Sequence, residues 1–450
     1  MADLIEPRTL KGFRDYPPQL MIPREHLLEK ARQVYRSYGY APIDTPALEY
    51  AEIIVGKMSE EAEIQRQLYR FKDKGGRDVA LRFDLTVPFA RFSAEHIGKL
   101  GTPFKRYHMG PVWRGETPQA GRFREFWQCD FDTIGTTSNA ADIETALVIH
   151  DLIRALGFEQ FTVHVNNRMV LNGLLQEMGL AGQTAPVLRA LDKLARIGRE
   201  AVLDEMVEKT KTDRARAERI LTVATTEGSN EEILQRLERE AGSNANAAEG
   251  IRRLRELLSV ARTAGIAEER LRLDVSIARG LDYYTGTIYE TFLNETLPDG
   301  KPLEIGSVCS GGRYDNLAGL YTRQQLPGVG ASLGLDRLLA AMEELQLLPK
   351  AATPAPVLMV QFEAARLGDY QRVARSLRAE GIGVEVYPDA KKVGQQLKYA
   401  DARGFRVALI PFPDEFARKE WQIKDLVREA KETVPEAEVA ATIRRILSGV

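Results

Sequence analysis

The stretch FKRYHMGPVWRGETPQAGRFREFWQCDFDTIG (residues 104–135) limits what the chain can fold into more than any other. In its second half Arg124, Phe126, Gln128, Asp130 and Asp132 fall on one side of an extended chain, and Phe123, Trp127, Cys129 and Phe131 on the other. That pattern predicts a strand. The first half predicts another, with Arg106, His108 and Arg114 on one side if the pleat runs through Pro111, which has no ladder donor. The loop ETPQAGR joins them. Two readings of the polar face stand side by side. It can be a ligand surface, where arginine neutralises phosphate and a ring stacks on a base. It can also be a buried ion-pair network between paired strands.

Four further segments carry groups suited to chemistry. In ALRFDLTVPFARF (80–92), Leu81, Phe83, Leu85 and Val87 alternate with Arg82, Asp84 and Thr86, which predicts a strand with its polar set on one face. Such a line could hold a zwitterionic ligand, Asp84 meeting the ammonium, or could lie half-exposed in water. IARGLDYYTGTIYE (277–290) sets Arg279 close to Tyr283 and Tyr284. An arginine buried beside rings needs an anionic partner; the alternative is a hairpin turn near Thr285 and Gly286 with core tyrosines. The glycines of SGGRYDNL (310–317) let backbone approach a ligand closely. GVGASLGLDRLL (328–339) predicts a strand running into a helix with Arg337 in its first turns. It is neither a dinucleotide fingerprint, lacking the βαβ context and the acidic residue, nor a P-loop, lacking Lys-Ser/Thr.

Periodicity organises the rest. Residues 23–38 predict a helix, with Pro23 suited to its first position and Gly39 as a stop. YAPIDTPALEY reads as extended, 78–135 as strands and 140–156 as helix. Residues 170–265, rich in Glu, Arg, Leu and Ala, predict a helical insertion whose charged faces read first as solvated. Strands resume at LRLDVSIARGLDYYTGTIYETFL. LPKAATPAP (348–356) reads as a linker. Beyond it strand and helix alternate through APVLMVQF, GDYQRVARSLRAEG, IGVEVYP, KKVGQQLKYADARG and RVALIPF, which predicts a separate, mostly parallel α/β domain.

A chain of 450 residues has the length for several domains. A net charge of -2 argues against generic nucleic-acid coating and against DNA as a partner, while leaving room for a local RNA patch. Two cysteines cannot build a disulfide framework, and five scattered histidines offer no His/Cys pair at metal-ligand spacing. With no signal pattern and no apolar run of about 18 residues, a soluble cytoplasmic protein without a membrane partner is expected.

Taken in order, LRFDLTVPFARF, VWRGETPQAGRFREFWQCDFD, RGLDYYTG, SGGRYDNL and GVGASLGLDR resemble the sequence blocks of class II aminoacyl-tRNA synthetases. RGLDYY and SGGRYD resemble the histidyl-tRNA synthetase branch in particular, and the resemblance runs over nearly the whole chain. It implies an α+β fold: a class II catalytic domain over 1–347, with a six-stranded antiparallel sheet and the helical insertion, then an α/β anticodon-binding domain over 357–450. It implies a homodimer through the first helix and the strand at Pro46. The implied reaction joins L-histidine to tRNA(His) through a histidyl-adenylate, with ATP as the energy source and Mg²⁺ bridging its phosphates.

By matching positions, the resemblance implies that Arg114 holds the α-phosphate of ATP. Glu116 and Phe126 meet the adenine, with Arg337 on its other side, and Arg122 reaches the outer phosphates. Asp84, Leu85, Thr86, Gln128 and Asp132 hold the histidine, chiefly at its ammonium. Tyr283 and Tyr284 line an imidazole pocket with the SGGRYD glycines near its floor. Arg279 is the implied catalytic arginine, holding the substrate carboxylate against the α-phosphate alongside Arg114. Gln119 and Arg124 match positions that meet the 5′ end of the tRNA. One stretch departs from the family: the Gly-Glu-Asp-Glu usual in the last domain is replaced within IPFPDEFARKEWQIKDL, where Pro411 and Pro413 stand for small residues.

Three rival functions are weighed. A non-catalytic paralogue that regulates histidine biosynthesis generally lacks the last domain and has eroded blocks, whereas this chain keeps its blocks and about 95 residues after the linker. A sensor of uncharged tRNA within a larger kinase would carry a kinase signature, which is missing here. An ATP-dependent enzyme for another amino acid is opposed by RGLDYY.

Overall fold

The structure, a computed structural model, describes residues 4–56, 63–118, 121–191, 193–277, 283–348 and 352–449. They form two compact units: Met1–Arg14 with Leu27–Gln346, and Asp15–His26 with Leu347–Val450. Among the described residues, no helix is long and apolar enough to cross a membrane.

The strands of the first unit are, in chain order, β1 (Ala41–Pro42), β2 (Leu48–Tyr50), β3 (Arg70–Lys72), β4 (Asp78–Leu81), β5 (Phe104–Trp113) and β6 (Glu125–Ile134). They continue as β7 (Phe161–Asn167), β8 (Leu271–Leu273), β9 (Thr287–Leu293), β10 (Cys309–Tyr314) and β11 (Gly328–Gly334). The large sheet runs β1-β5-β6-β11-β10-β9-β7-β8. Its six inner strands pair antiparallel, as expected. The short β1 and β8 add a parallel strand at each edge.

The alternation along β6 sorts its side chains as read. Cys129 and Phe131 are fully buried. Tyr35 and Tyr40 close over Phe131 with ring centroids at 5.1 and 5.5 Å, and the Tyr35 hydroxyl donates to Cys129 O at 2.9 Å. β5 does run through Pro111, opposite Trp127. The missing N–H interrupts nothing, because Trp113 N–H, two residues on and on the same side, already points away from β6 to Arg82 O.

Two local expectations are corrected. The helix expected at 23–38 is Pro18–Ser37, with Pro23 inside it. Leu20 and Met21 donate to Pro17 O, so the first turn closes before Pro23 is reached, and that proline withholds one N–H without stopping the helix. The strand expected across 80–92 ends at Leu81, and a helix starts at Thr86 (Thr86–Leu100). Asp84 Oδ1 accepts from Val87 N–H at 2.9 Å, and Pro88 fits a first helical turn but not a central strand. Arg82, Asp84 and Thr86 therefore do not share one strand face. Arg82 is buried and donates to Thr45 O at 2.6 Å and Pro111 O at 2.9 Å.

The insertion consists of the helices Arg168–Glu177, Thr184–Leu191, Leu194–Thr210, Arg214–Ala224, Asn230–Ala241 and Ala245–Thr263. A capping box, with Ser229 and Glu232 satisfying each other's backbone N–H, starts the fifth. Leu175, Val187, Val202 and Leu221 are in its own buried core.

The second unit holds β12 (Val357–Met359), β13 (Val384–Val386), β14 (Val407–Ile410), β15 (Glu420–Asp425) and β16 (Lys431–Pro435), ordered β13-β12-β14-β15-β16. β12 pairs parallel with β13 and β14, but β14–β15 and β15–β16 are antiparallel. The sheet is thus mixed and not mostly parallel. Only the first three strands are linked through long helices, while β15 and β16 form a hairpin whose turn is held by Asp425 Oδ1, accepting from Val427 and Arg428 N–H.

Candidate active site

The polar face of β5 and β6 is set by register. Arg106 stands opposite Asp132, and His108 opposite Asp130. Arg106 is fully buried, its guanidinium 4.3 Å from the centre of the Phe89 ring. Its Nη2 lies 2.6 Å from Asp132 Oδ2 and 3.8 Å from Asp130 Oδ2, and donates to Leu85 O at 3.3 Å. One cation thus serves two buried carboxylates. Burial pushes the Asp130 carboxyl up to about 7, with Arg106 opposing the shift and Asp132 adding to it. Asp132 is raised for the same first reason, although the Tyr314 hydroxyl donates to its Oδ1 at 2.7 Å.

The turn at 82–86 brings a third carboxylate to this end. Asp84 is buried, which raises its carboxyl, and the Tyr283 hydroxyl donates to its Oδ2 at 3.3 Å. Tyr283 meets Tyr284 and Tyr314 edge-on, at 5.3 and 6.1 Å between centroids. Burial, and then the charges of Asp132, Asp130 and Asp84, raise the Tyr284 phenol. Gln128 donates from Nε2 to Ser332 Oγ at 3.1 Å, while its buried Oε1 has no hydrogen-bond partner among the described residues. Three carboxylates, phenols and a spare amide oxygen make a pocket short of positive charge. An ammonium or an imidazolium would supply it.

The opposite end of the same face is rich in positive charge. Arg114 packs over Phe83 at 4.3 Å and Phe126 at 5.1 Å, donates from Nε to Phe83 O at 3.1 Å, and lies 3.9 Å from Glu116. Arg337, in the first turn of the helix Leu335–Glu344, donates to Ser307 O. Burial, and then the charges of Arg122 and Arg114, hold the Arg337 guanidinium below its usual range, with Glu116 and Glu290 opposing them. Arg337, with the Arg114 and Arg122 guanidiniums near enough to act on it, forms a place for an anion of several charges.

Of the residues singled out in the sequence, Asp84, Leu85, Thr86, Gln128, Asp132, Tyr283 and Tyr284 gather at the acidic end, and Arg114, Glu116, Arg122, Phe126 and Arg337 at the basic end. Arg279 and Gln119 lie outside the described residues. Arg124 is engaged inside the protein, donating to Glu116 O at 3.1 Å and Lys11 O at 3.3 Å. Within SGGRYDNL, Arg313 is buried against Asp142 and points away from the pocket's carboxylates, whereas Tyr314 reaches Asp132. Asp130, Arg106 and Tyr314 were not assigned a role from the sequence. The signal for Asp130 was its shared parity with Gln128 and Asp132; for Arg106 and Tyr314 only the strand pairing reveals it.

The chain matches the family described as histidyl-tRNA synthetase over residues 12–338 and the anticodon binding domain over residues 357–446. It is 57% identical to the histidine–tRNA ligase of Rhodopirellula baltica over 96% of each chain. Its fold matches the crystal structure of histidyl-tRNA synthetase from Nostoc sp. PCC 7120 with a TM-score of 0.88 and 32% identity, covering 98% of this chain and all of that one. A structure from Bacillus halodurans C, described as an ATP phosphoribosyltransferase regulatory subunit/histidyl-tRNA synthetase, shares the fold at TM-score 0.71 and 22% identity, covering 88% of this chain and 97% of that one. On the family match across both units and the high identity over nearly its full length, the chain belongs to the histidyl-tRNA synthetase family.

Proposed function

We propose that the chain joins L-histidine to tRNA(His) in two steps, activating the amino acid with ATP and then transferring it. The observation that carries this reading is the two-ended polar face of β6, acidic around Asp132 and basic around Arg114. From Phe126 to Asp132 the strand advances about 20 Å at the usual rise per residue, and Arg114, bonded to Phe83 O beside Asp84, stands where the basic and acidic ends meet. A nucleotide and an amino acid fit end to end along that length.

In the first step a histidine carboxylate oxygen attacks the α-phosphorus of ATP. A P–O bond forms, and the bond to the departing pyrophosphate breaks. Asp84, Thr86, Gln128 and Asp132 orient the substrate through its cationic groups, and Tyr283 and Tyr284 enclose its ring. Arg114 holds the α-phosphate with its plane fixed by Phe83, Phe126 and the bond to Phe83 O. Arg337 and Phe126 flank the adenine, and Arg122 neutralises the outer phosphates. Arg279 brings the two reacting groups together. None of these groups exchanges a proton in this step, so their contribution is positioning and charge stabilisation. Mg²⁺ held by the ATP phosphates would add positive charge at the basic end, where Glu116 and Glu290 are the nearby carboxylates. In the second step a hydroxyl of the terminal ribose of the tRNA attacks the activated carbonyl carbon, the bond from that carbon to the phosphate oxygen breaks, and AMP and the hydroxyl proton leave.

The unit over Leu347–Val450 is the proposed reader of the anticodon, supported by its match to the anticodon binding domain. A homodimer is proposed from an apolar face on the sheet β2-β4-β3, where exposed Leu48, Tyr50 and Phe71 share the side of Val79. A cytoplasmic setting is supported by two buried cysteines that form no disulfide. Histidine-dependent exchange of pyrophosphate into ATP tests the reading. Folded protein without exchange would overturn it in favour of the regulatory paralogue.

A further inference from the structure

The segment Lys11–Arg14 touches both elements that carry the nucleotide end of the site. Its first contact is with the loop between β5 and β6. Gly12 O accepts from Arg124 N–H at 2.8 Å, and Lys11 O from Arg124 Nη1 at 3.3 Å. Arg124 in turn donates from Nε to Glu116 O, and its own carbonyl accepts from Arg114 N–H at 2.9 Å. Gly12 has φ +87°, and a Cβ there would press on Arg124 Cγ at 2.8 Å and Pro118 Cγ at 2.9 Å. The segment therefore lies flush on the stretch that presents Arg114 and Glu116.

Its second contact is made by Arg14. The guanidinium stacks 4.1 Å from the centre of the Phe123 ring, and Nη2 lies 3.4 Å from Asp336 Oδ1. Asp336 is 2% exposed in its side chain, immediately before Arg337, in the first turn of its helix. Its other oxygen accepts from Trp127 N–H at 2.7 Å. Trp127 separates Phe126 from Gln128. One carboxylate thus ties the strand that presents Phe126 to the helix that presents Arg337, and Arg14 supplies positive charge to it.

We propose that Arg14 is a positioning residue for ATP: acting through Asp336, it fixes the distance between Phe126 and Arg337, the two sides of the adenine slot. This rests on the proposed ligase reading for the identity of the nucleotide. Arg14 itself touches no substrate. Removing it leaves Asp336 with less positive charge and loosens its carboxylate, so the bond from Trp127 N–H holds β6 to the helix less rigidly. Asp130 and Asp132, four and six residues beyond Phe126 along β6 and held separately by Arg106 and Tyr314, keep their geometry.

The test is direct titration of full-length protein with ATP and Mg²⁺, followed by exchange kinetics, on Arg14→Ala, Arg14→Lys, Asp336→Asn and the Arg14→Ala/Asp336→Asn double variant. Arg14→Ala is expected to weaken ATP binding about five- to tenfold while the histidine KM changes less than about twofold, and the double variant to be no weaker than the worse single variant, the non-additivity of coupled neighbours. Arg14→Lys keeps the charge and loses the flat stack, so it recovers most of the loss. If Arg14→Ala does not fold, Arg14→Lys carries the test with a selective ATP loss of about twofold. Unchanged ATP binding in the folded Arg14 variants, additive losses, or equal weakening of ATP and histidine would overturn the assignment. ATP binding is read without histidine, so absence of exchange in the unaltered protein would count against the ligase reading and not against Arg14.

Discussion

Asp132 and Gly330 stand directly opposite each other across β6 and β11, and a Cβ on Gly330 would overlap both Asp132 Oδ1 and Phe131 O. The Phe131 oxygen is backbone and cannot step aside by itself, so β6 and β11 must shift apart locally and displace the Asp132 carboxylate with them. Gly330→Ala is expected to raise the histidine KM by about tenfold and to cost about 1–3 kcal/mol of stability through overpacking. Exchange kinetics and urea unfolding measure both. A normal histidine KM in this variant would remove Asp132 from the substrate pocket.

Arg313 behaves differently from its neighbours in SGGRYDNL. It donates from Nε to both oxygens of Asp142 at 3.0–3.1 Å, from Nη1 to Thr136 O at 3.0 Å and from Nη2 to Ser138 O at 3.2 Å, bolting β10 to the start of the helix Asn139–Ala155. Arg313→Ala strands a fully buried carboxylate and is expected to cost about 3–5 kcal/mol. Adding Asp142→Asn should return part of that loss in denaturant unfolding. A loss of histidine affinity at unchanged stability would place Arg313 in the pocket instead.

Asp130 gives a pH dependence with a definite sign. Its carboxyl, pushed up to about 7, faces Arg106 and His108 from β5, Asp132 on its own strand, Ser332 from β11 and, further off, Asp84. Between the ordinary carboxylate range and pH 7 the folded state holds a proton that the unfolded chain has released. Folding stability therefore falls as pH rises through this window, by at most about 1.4 kcal/mol per pH unit. Asp130→Asn removes that slope. Its stability relative to the unaltered protein should rise from pH 5 to pH 8; a constant difference across that range would show Asp130 to be an ordinary acid.

Arg279→Ala is expected to cut adenylate formation about a hundredfold or more, the scale of losing a charge-stabilising donor at a reacting centre, with no change in melting temperature. Single-turnover adenylate formation checks this. A rate near that of the unaltered protein would take Arg279 out of the reaction.

Deleting residues from 355 onward should spare histidine-dependent exchange and abolish most charging of tRNA(His). Both assays run on the same preparation. Charging that survives the deletion would mean that the last unit does not read the anticodon.

The parts legible in the sequence are those where one period governs. β6 was readable because its polar and apolar residues alternate without a break, and the insertion because six helices share one composition. The turn at Asp84 was not, because Leu81 to Val87 keeps a strand's alternation while Asp84 and Pro88 act as helix-start signals that outweigh it. The hairpin of β15 and β16 was likewise missed, although Trp421, Ile423 and Asp425 are buried on alternate positions. Charged residues dilute both strands, and Pro411 and Pro413 mark a break in the chain just before them. Arg106 and Tyr314 matter through partners on other strands, which no local pattern records. The tRNA contact expected of Arg124 rests on a side chain that the fold already uses to hold Glu116 and Lys11.

The two faces of β6 have a consequence for how this stretch can change. Asp130 and Asp132 each have a buried residue on either side, so parity alone decides which side chains join the polar face. One residue inserted or deleted within Glu125–Ile134 would turn Trp127, Cys129 and Phe131 into the cleft and drive Asp130 and Asp132 beneath Tyr35. A substitution here damages one contact; a change of length would exchange the binding wall for the core at a stroke, so this strand can drift in composition but is locked in length.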